Sequence, residues 1–212
     1  MRRPVLPECM KEIVVTDLAP SLRWREGLIC LAAFAASIPA ANWLIGHVGT
    51  TCTPDGFCLI PVAPGLMAPS GVLMAGLALV LRDIVQRRLG FAWGLAAIFI
   101  GGAISWAVSP PALVAASVLA FVLSELADLL VYTPLQRRGL VLAVVVSGIA
   151  GIIVDTLLFL YLAFGDVSYF WGQAVGKGWM VLVSVPFIAW LRQRDRRIGL
   201  APLGVLGQGG FK

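Results

Sequence analysis

Two acidic residues lie inside a long apolar stretch of this chain. The stretch runs from residue 110 to residue 133 without a basic residue, and it contains Glu125 and Asp128. A helix of about 20 apolar residues crosses the ~30 Å hydrocarbon core of a bilayer. Residues three apart lie on nearly the same helix face. Because an acidic side chain at mid-membrane costs ~2.5–3.5 kcal/mol, that face must turn away from lipid, toward other helices or water.

The rest of the chain also has the composition of a membrane protein. Of its 212 residues, 59% are hydrophobic and 13% are charged, whereas about 25% of a soluble domain is charged. The sequence therefore predicts an all-α, polytopic fold. Six transmembrane spans are predicted, at residues 27–47, 65–81, 91–108, 110–133, 140–164 and 169–191.

These spans form one predicted domain, residues 27–191. Pro69 interrupts the second span, as in helices whose freed backbone groups line a cavity. Residues 1–26 are predicted to be a short leader in which prolines prevent a long helix. Residues 192–212 are predicted to be a basic, disordered tail.

The distribution of basic residues predicts the orientation. Arg82, Arg87 and Arg88 follow the second span, and Arg137 and Arg138 follow the fourth. The loops after the first, third and fifth spans contain no Lys or Arg. The positive-inside rule therefore places both termini in the cytoplasm. The net charge of +5 is spread between spans, so no nucleic-acid partner is expected.

One loop on the predicted outer side carries two cysteines. Cys52 and Cys58 flank a turn with the sequence T-P-D-G-F. In an oxidising compartment a disulfide between them is plausible, and two free thiols are the alternative. A metal site is not expected because only His47 lies nearby, and no cofactor is expected.

The last two spans carry further polar residues. Asp155 and Thr156 lie in the fifth span, and Gln173 and Lys177 lie in the sixth. Counting from the span ends puts Asp155 and Lys177 at one depth, which permits an ion pair. Gln173 and Lys177, four apart, point to one face.

Glu125 and Asp128, in contrast, have no basic residue at their depth by the same count. Such unpaired acids favour a binding cavity between the fourth, fifth and sixth spans over a purely structural clamp. Arg82 and Asp83, at the predicted cytoplasmic end of the second span, are candidate gate residues, although interfacial anchoring explains Arg82 equally well. Asn42 is a donor either to a ligand or to a neighbouring helix.

With these residues in view, the chain resembles a known family. The motif S-E-L-A-D-L-L-V-Y at residues 124–132, V-D-T-L-L-F at residues 154–159, Lys177, and L-R-D at residues 81–83 carry the resemblance. It covers residues 65–191 and points to the VUT (vitamin uptake transporter-like) family of bacterial queuosine precursor transporters. It departs from the family in the long first loop with its cysteines and in the break at Pro69.

The resemblance implies a multi-pass protein of the bacterial inner membrane that imports a 7-deazaguanine, notably 7-cyano-7-deazaguanine. A carboxylate can accept two hydrogen bonds from the guanidine-like edge of such a base. Lys177 or Gln173 would then donate to its carbonyl oxygen, and Trp179 or Phe121 would stack on its rings.

Two alternatives to this prediction are considered. In the first, the chain is the substrate-binding component of an energy-coupling-factor transporter and needs an ATP-driven partner, which Ala32, Ala36 and Ala40 would contact. Homo-oligomers are also left open.

The second alternative is an intramembrane enzyme. The chain has a single histidine, His47, at a span end, no glycine-flanked aspartyl motif and no Walker A loop, so a transporter of a purine-like small molecule is favoured over an enzyme.

Overall fold

The computed structural model describes residues 8–52, 58–111 and 113–200, with side chains from Pro20 onward. Predictions for the ends of the chain beyond these ranges lie outside the described residues. The helices are α1 (Glu8–His47), α2 (Val72–Leu89), α3 (Phe91–Val108), α4 (Val114–Leu135), α5 (Leu140–Phe164) and α6 (Phe170–Arg197). A small sheet contains β1 (Thr51–Cys52), β2 (Cys58–Ala63) and β3 (Leu66–Pro69).

The helices confirm the prediction of an all-α, polytopic membrane protein. Among the described residues, α1, α3, α4, α5 and α6 are long and apolar enough to cross a membrane. Helix α2 falls outside this group because its 18 residues include four charged ones. It packs against α1, α3 and α6, and most of its charged half is buried. A helix with such side chains is tolerated inside a bundle because its charges meet partners rather than lipid.

The predicted second span is partly wrong. Residues 66–69 form strand β3, which pairs antiparallel with β2, and the helix begins only at Val72. Pro64 and Gly65 make the turn between the strands, and Gly65 has a φ of +74°. This is the conformation that favours glycine after proline in a type II turn. The Pro64-Gly65 pair was the signal from which the hairpin could have been predicted.

Three predicted helix boundaries also differ from those in the structure. Helix α1 already begins at Glu8, so the leader is not separate from the first span, and Pro20 lies within the helix. Helix α2 continues to Leu89, well past Leu81, and α6 includes residues 192–197. The reason is that charges beyond the apolar segments pair with one another: Glu26 of α1 binds Arg88 of α2 and Arg194 of α6.

Because consecutive helices alternate in direction, the bundle has two distinct ends. The hairpin end carries the sheet, the first turns of α2, α4 and α6, and the last turns of α1, α3 and α5. The arginine end carries Arg87, Arg88 and Arg194. The orientation predicted from the basic loops would put the hairpin end outside the cell.

Glycines allow the closest helix contacts. A Cβ at Gly151 of α5 would lie 2.8 Å from Leu79 Cδ2 and 3.2 Å from Asp128 Cβ. A Cβ at Gly76 of α2 would collide with the backbone of Lys177. Small residues of this kind let membrane helices pack closely, and here they bring α2 against the polar parts of α4, α5 and α6.

Candidate substrate-binding cavity

A cavity of about 130 Å³ lies in the half of the bundle nearer the hairpin end. All six described helices and the turn after β3 contribute to its wall. Its polar side chains come from α1, α3, α4, α5 and α6: Ser37, Asn42, Ser105, Ser117, Ser124, Glu125, Asp155, Gln173 and Lys177. A concave site with a few converging polar groups on a largely apolar wall is the usual form of a small-molecule site.

Glu125 of α4 belongs to the cavity wall. It is the twelfth residue of the 22-residue helix α4, so it lies near the middle of the bundle. Its Oε2 accepts a hydrogen bond of 3.0 Å from Arg82 Nε, and the residue is 1% exposed. Glu125 therefore connects the cavity wall to a buried arginine.

Arg82 is the centre of a buried charge cluster behind the cavity. Its guanidinium contacts Glu125 and Asp128 of α4 and Asp83 of its own helix, the last with 3.0 Å between NH1 and Oδ1. It also donates to Gln86 Oε1 over 3.0 Å. The four charged side chains, Arg82, Asp83, Glu125 and Asp128, are called the Arg82 cluster below, and each is at most 2% exposed.

The cluster corrects two predictions. Glu125 and Asp128 do have a basic partner at their depth, because Arg82 lies in the interior of α2 and not at its end. Arg82 is therefore neither an interfacial anchor nor a residue at the cytoplasmic surface. Asp128 is fully buried and absent from the cavity wall, so only Glu125 of the two acids lines the cavity.

The ion pair expected between Asp155 and Lys177 is present. Lys177 Nζ lies 2.5 Å from Asp155 Oδ2. It also donates to Thr156 Oγ1 over 3.0 Å and to Gln173 Oε1 over 2.9 Å. These three contacts use all three ammonium protons. Lys177 therefore positions its neighbours, and direct donation to a ligand by Lys177 is not supported.

Gln173 has a donor that no described residue satisfies. Its Oε1 accepts a hydrogen bond from Lys177. Because an ammonium group only donates, the amide oxygen must face Lys177 and the amide nitrogen must point away from it. The remaining Nε2 is buried without a hydrogen-bond partner among the described residues. Buried donors without partners are rare, and this one belongs to a residue of the cavity wall.

The other predicted contact residues divide into two groups. Phe121 lines the cavity, as does Phe159, which the sequence did not single out. Asn42 also lines it, with one amide hydrogen bond to Ile38 O of its own helix. Trp179 does not: it is 49% exposed and donates from Nε1 to Val62 O of the hairpin. Stacking of Trp179 on a ligand is therefore wrong for this cavity.

A second buried charge network at the arginine end was not predicted. Asp195 of α6 accepts four hydrogen bonds of 2.8–3.0 Å from Arg87 and Arg88 of α2. Arg88 also pairs with Glu26 of α1 over 2.8 Å. The alternating charges in R-Q-R-D-R-R, residues 192–197, are the signal that a helix continues past the apolar span. This network holds three helices together on the side opposite to the cavity.

At the hairpin end, a disulfide joins Cys52 of β1 to Cys58 of β2. The two residues are also direct partners in the antiparallel register. Cys58 O accepts from Ser70 N, and Ser70 Oγ donates to Leu44 O of α1. The bond therefore anchors the strand that leads to the wall of the cavity.

Comparisons with known proteins found a match for one part of the chain. The model of a family described as "putative vitamin uptake transporter" matches residues 105–191. This part of the chain is therefore similar to that family. The match includes α4, α5 and most of α6, with Glu125, Asp128, Asp155, Gln173 and Lys177, and it supports the resemblance stated above. No curated protein and no solved structure matches the chain. The similarity is to a family of uptake transporters, and the long apolar helices support a place in a membrane.

Proposed function

We propose that the chain imports a 7-deazaguanine, with 7-cyano-7-deazaguanine as the best candidate, through the cavity beside Glu125. The observation that carries the proposal is a complementary pair on one cavity wall. Glu125 supplies a carboxylate acceptor, and Gln173 supplies an unpaired amide donor. A guanine-like base has the opposite pattern, with N–H groups on one edge and a carbonyl oxygen beside them.

The details of the pair favour such a base. Glu125 uses Oε2 for Arg82, which leaves Oε1 for a ligand N–H. Gln173 Nε2 would donate to the ligand carbonyl, and Lys177 holds the amide in the orientation that this needs. Phe121 and Phe159 provide aromatic rings on the wall for a flat ligand to contact.

The size of the cavity constrains how the ligand would enter. A closed cavity of ~150 Å³ holds a single benzene ring, and the present one measures about 130 Å³. A two-ring base is larger, so binding requires the helix ends around the cavity to separate. Movement at the hairpin end is the expected form of this opening, because the charge network at the arginine end ties α1, α2 and α6 together.

Growth on the precursor tests the function. A bacterium unable to make or import queuosine precursors should recover queuosine in its tRNA when it expresses this chain and receives 7-cyano-7-deazaguanine at low concentration. The Glu125→Gln variant, expressed to the same level, is the control and should fail. Failure of the wild-type chain, or equal rescue by both, would contradict the proposal.

An energy-coupling partner is the second candidate arrangement. Ala32 and Ala36 lie on an exposed face of α1, and Ala40 of the same face is half-buried. This leaves a small-residue surface on which another membrane helix could pack closely. Rescue in a host without any energy-coupling ATPase would show that the chain transports alone. Rescue only when that partner is supplied would show a capture component.

A further inference from the structure

The Arg82 cluster contains three carboxyl groups and one cation. Asp83, Glu125 and Asp128 surround Arg82, and the side-chain exposures of these residues are between 0% and 2%. If all three acids were ionised, the cluster would have a net charge of −2 at an almost completely buried position. An uncompensated charge in such a place is strongly unfavourable, and buried groups usually become neutral instead.

Two of the acids contact the same guanidinium. Asp83 lies against NH1 of Arg82 and Asp128 against NH2, and Asp128 Oδ2 is buried without a hydrogen-bond partner among the described residues. An ionised carboxylate only accepts, so a proton held by one of these two acids would let it donate to the other. Ser147 of α5 adds a donor on the other side, with 3.3 Å from its Oγ to Asp83 Oδ2.

Groups on the neighbouring elements do not supply the missing positive charge. Arg87 of α2 is bound to Asp195, and Lys177 of α6 is bound to Asp155. From α4, Tyr132 presents its ring to Arg82, with 5.9 Å from the guanidinium carbon to the ring centroid. Arg82 itself takes the central position among the carboxyl groups.

We propose that Asp83 and Asp128 share a transported proton, and that its release is linked to ligand binding through Arg82 and Glu125. Glu125 belongs to both sites, since it lines the cavity and binds Arg82. A ligand N–H bonded to Glu125 Oε1 draws negative charge toward that oxygen and weakens the bond between Oε2 and Arg82 Nε. Arg82 then interacts more strongly with Asp83 and Asp128, which favours their ionised forms and releases the proton. This linkage rests on the function proposed above, whereas the bound proton does not.

Infrared spectroscopy tests the proton without any substrate. The purified wild-type chain at neutral pH should show the carbonyl band of a protonated carboxyl group, shifted by exchange into D₂O. Asp83→Asn should lose this band, and because its amide can donate to Asp128 in place of the proton, the protein should still fold. Asp195→Asn is the matched control and should keep the band, since Asp195 has two arginine partners. Absence of the band in the wild type, or its persistence in Asp83→Asn, would overturn the proposal.

Proteoliposomes test the linkage. With 7-cyano-7-deazaguanine as probe and an acidic interior, the wild type should accumulate the probe about tenfold per pH unit, since one proton leaves as each probe molecule enters. A protonophore should abolish the gradient-driven part, and Asp83→Asn should only equilibrate the probe. Equilibration by the wild type without response to pH would overturn the linkage. If the wild type does not move the probe at all, the proposed substrate is wrong, and the infrared result still decides whether the proton is there.

Discussion

Arg82 and Glu125 are joined across 43 positions of sequence by a hydrogen bond of 3.0 Å between Nε and Oε2. The contact connects α2 to α4 and places one carboxylate between a buried cation and a cavity. Any ligand that bonds to Glu125 therefore changes the surroundings of Arg82. Under the proposed function, this relationship makes the cluster part of the transport site and more than a clamp between helices.

Replacing Arg82 with methionine should strongly destabilise the protein. The change leaves three buried carboxyl groups without their cation, and removal of one partner from a buried ion pair typically costs ~3–5 kcal/mol. Melting temperature in detergent and the amount inserted in membranes are the measurements. Arg197→Met, at an exposed position of α6, is the control and should change stability by less than ~0.5 kcal/mol. Equal melting of the two variants would contradict the central role of Arg82.

Glu125→Gln and Asp128→Asn should have different effects although both acids bind Arg82. Only Glu125 lines the cavity, so its amide variant loses a charge-assisted bond to the ligand. We expect a loss of ~2–4 kcal/mol in binding, which is about 30- to 1000-fold in Kd. Asp128→Asn should reduce stability more than affinity. Binding of 7-cyano-7-deazaguanine to both purified variants, together with their melting temperatures, checks this. Equal losses of affinity would refute the assignment.

Gln173→Glu should abolish the proposed donor while keeping the helix contacts. A glutamate at this position still accepts from Lys177, but Lys177 is already paired with Asp155, so the added buried charge should lower stability. It has no amide N–H for a ligand carbonyl, and the affinity for 7-cyano-7-deazaguanine should fall by at least tenfold, which corresponds to ~1.4 kcal/mol. Gln173→Asn, which retains a donor at a shorter reach, is the comparison. Unchanged affinity in Gln173→Glu would remove Gln173 from the site.

Substitutions of Asp155 and of Lys177 should lower stability to different extents. Lys177 is 3% exposed in its side chain and Asp155 is 21% exposed. Asp155→Asn leaves a deeply buried cation and should therefore be more destabilising than Lys177→Met. The double variant should recover part of the stability, with a coupling energy of ~0.5–3 kcal/mol in a double-mutant cycle. It should not recover transport, because Gln173 has lost the lysine that positions its amide. Additive losses would show that the pair contributes nothing to the fold.

The disulfide can be tested chemically. Mass spectrometry of unreduced protein should find Cys52 linked to Cys58, while Cys30, a free thiol, is alkylated once the protein is denatured. Cys52→Ser should lower stability by about 2 kcal/mol, since the bond closes a short loop. Alkylation of Cys52 and Cys58 without a reductant would show that the two thiols are free.

Sequence patterns predicted best those features that depend on neighbours along the chain. The five most apolar helices follow from runs of residues that must satisfy their backbone hydrogen bonds internally. The Asp155–Lys177 pair followed from depth counting because α5 and α6 are consecutive and antiparallel, so one short connection sets their relative height. The hairpin was missed because its apolar strands continue the hydrophobic pattern of the helix that follows.

The sequence by itself determined the class of the protein, the approximate helices and the fact that several acids must avoid lipid. Only the tertiary structure decided what those acids meet. Arg82 lies on α2 and its partners on α4, and two intervening connections leave the relative height of these helices free in the sequence. Helix packing through residues such as Gly151 sets that height. The pairing of charges thus depends on how closely the helix backbones approach in three dimensions. An ion pair requires its two groups to lie within a few ångströms, whereas a hydropathy pattern places a helix only to within about a turn.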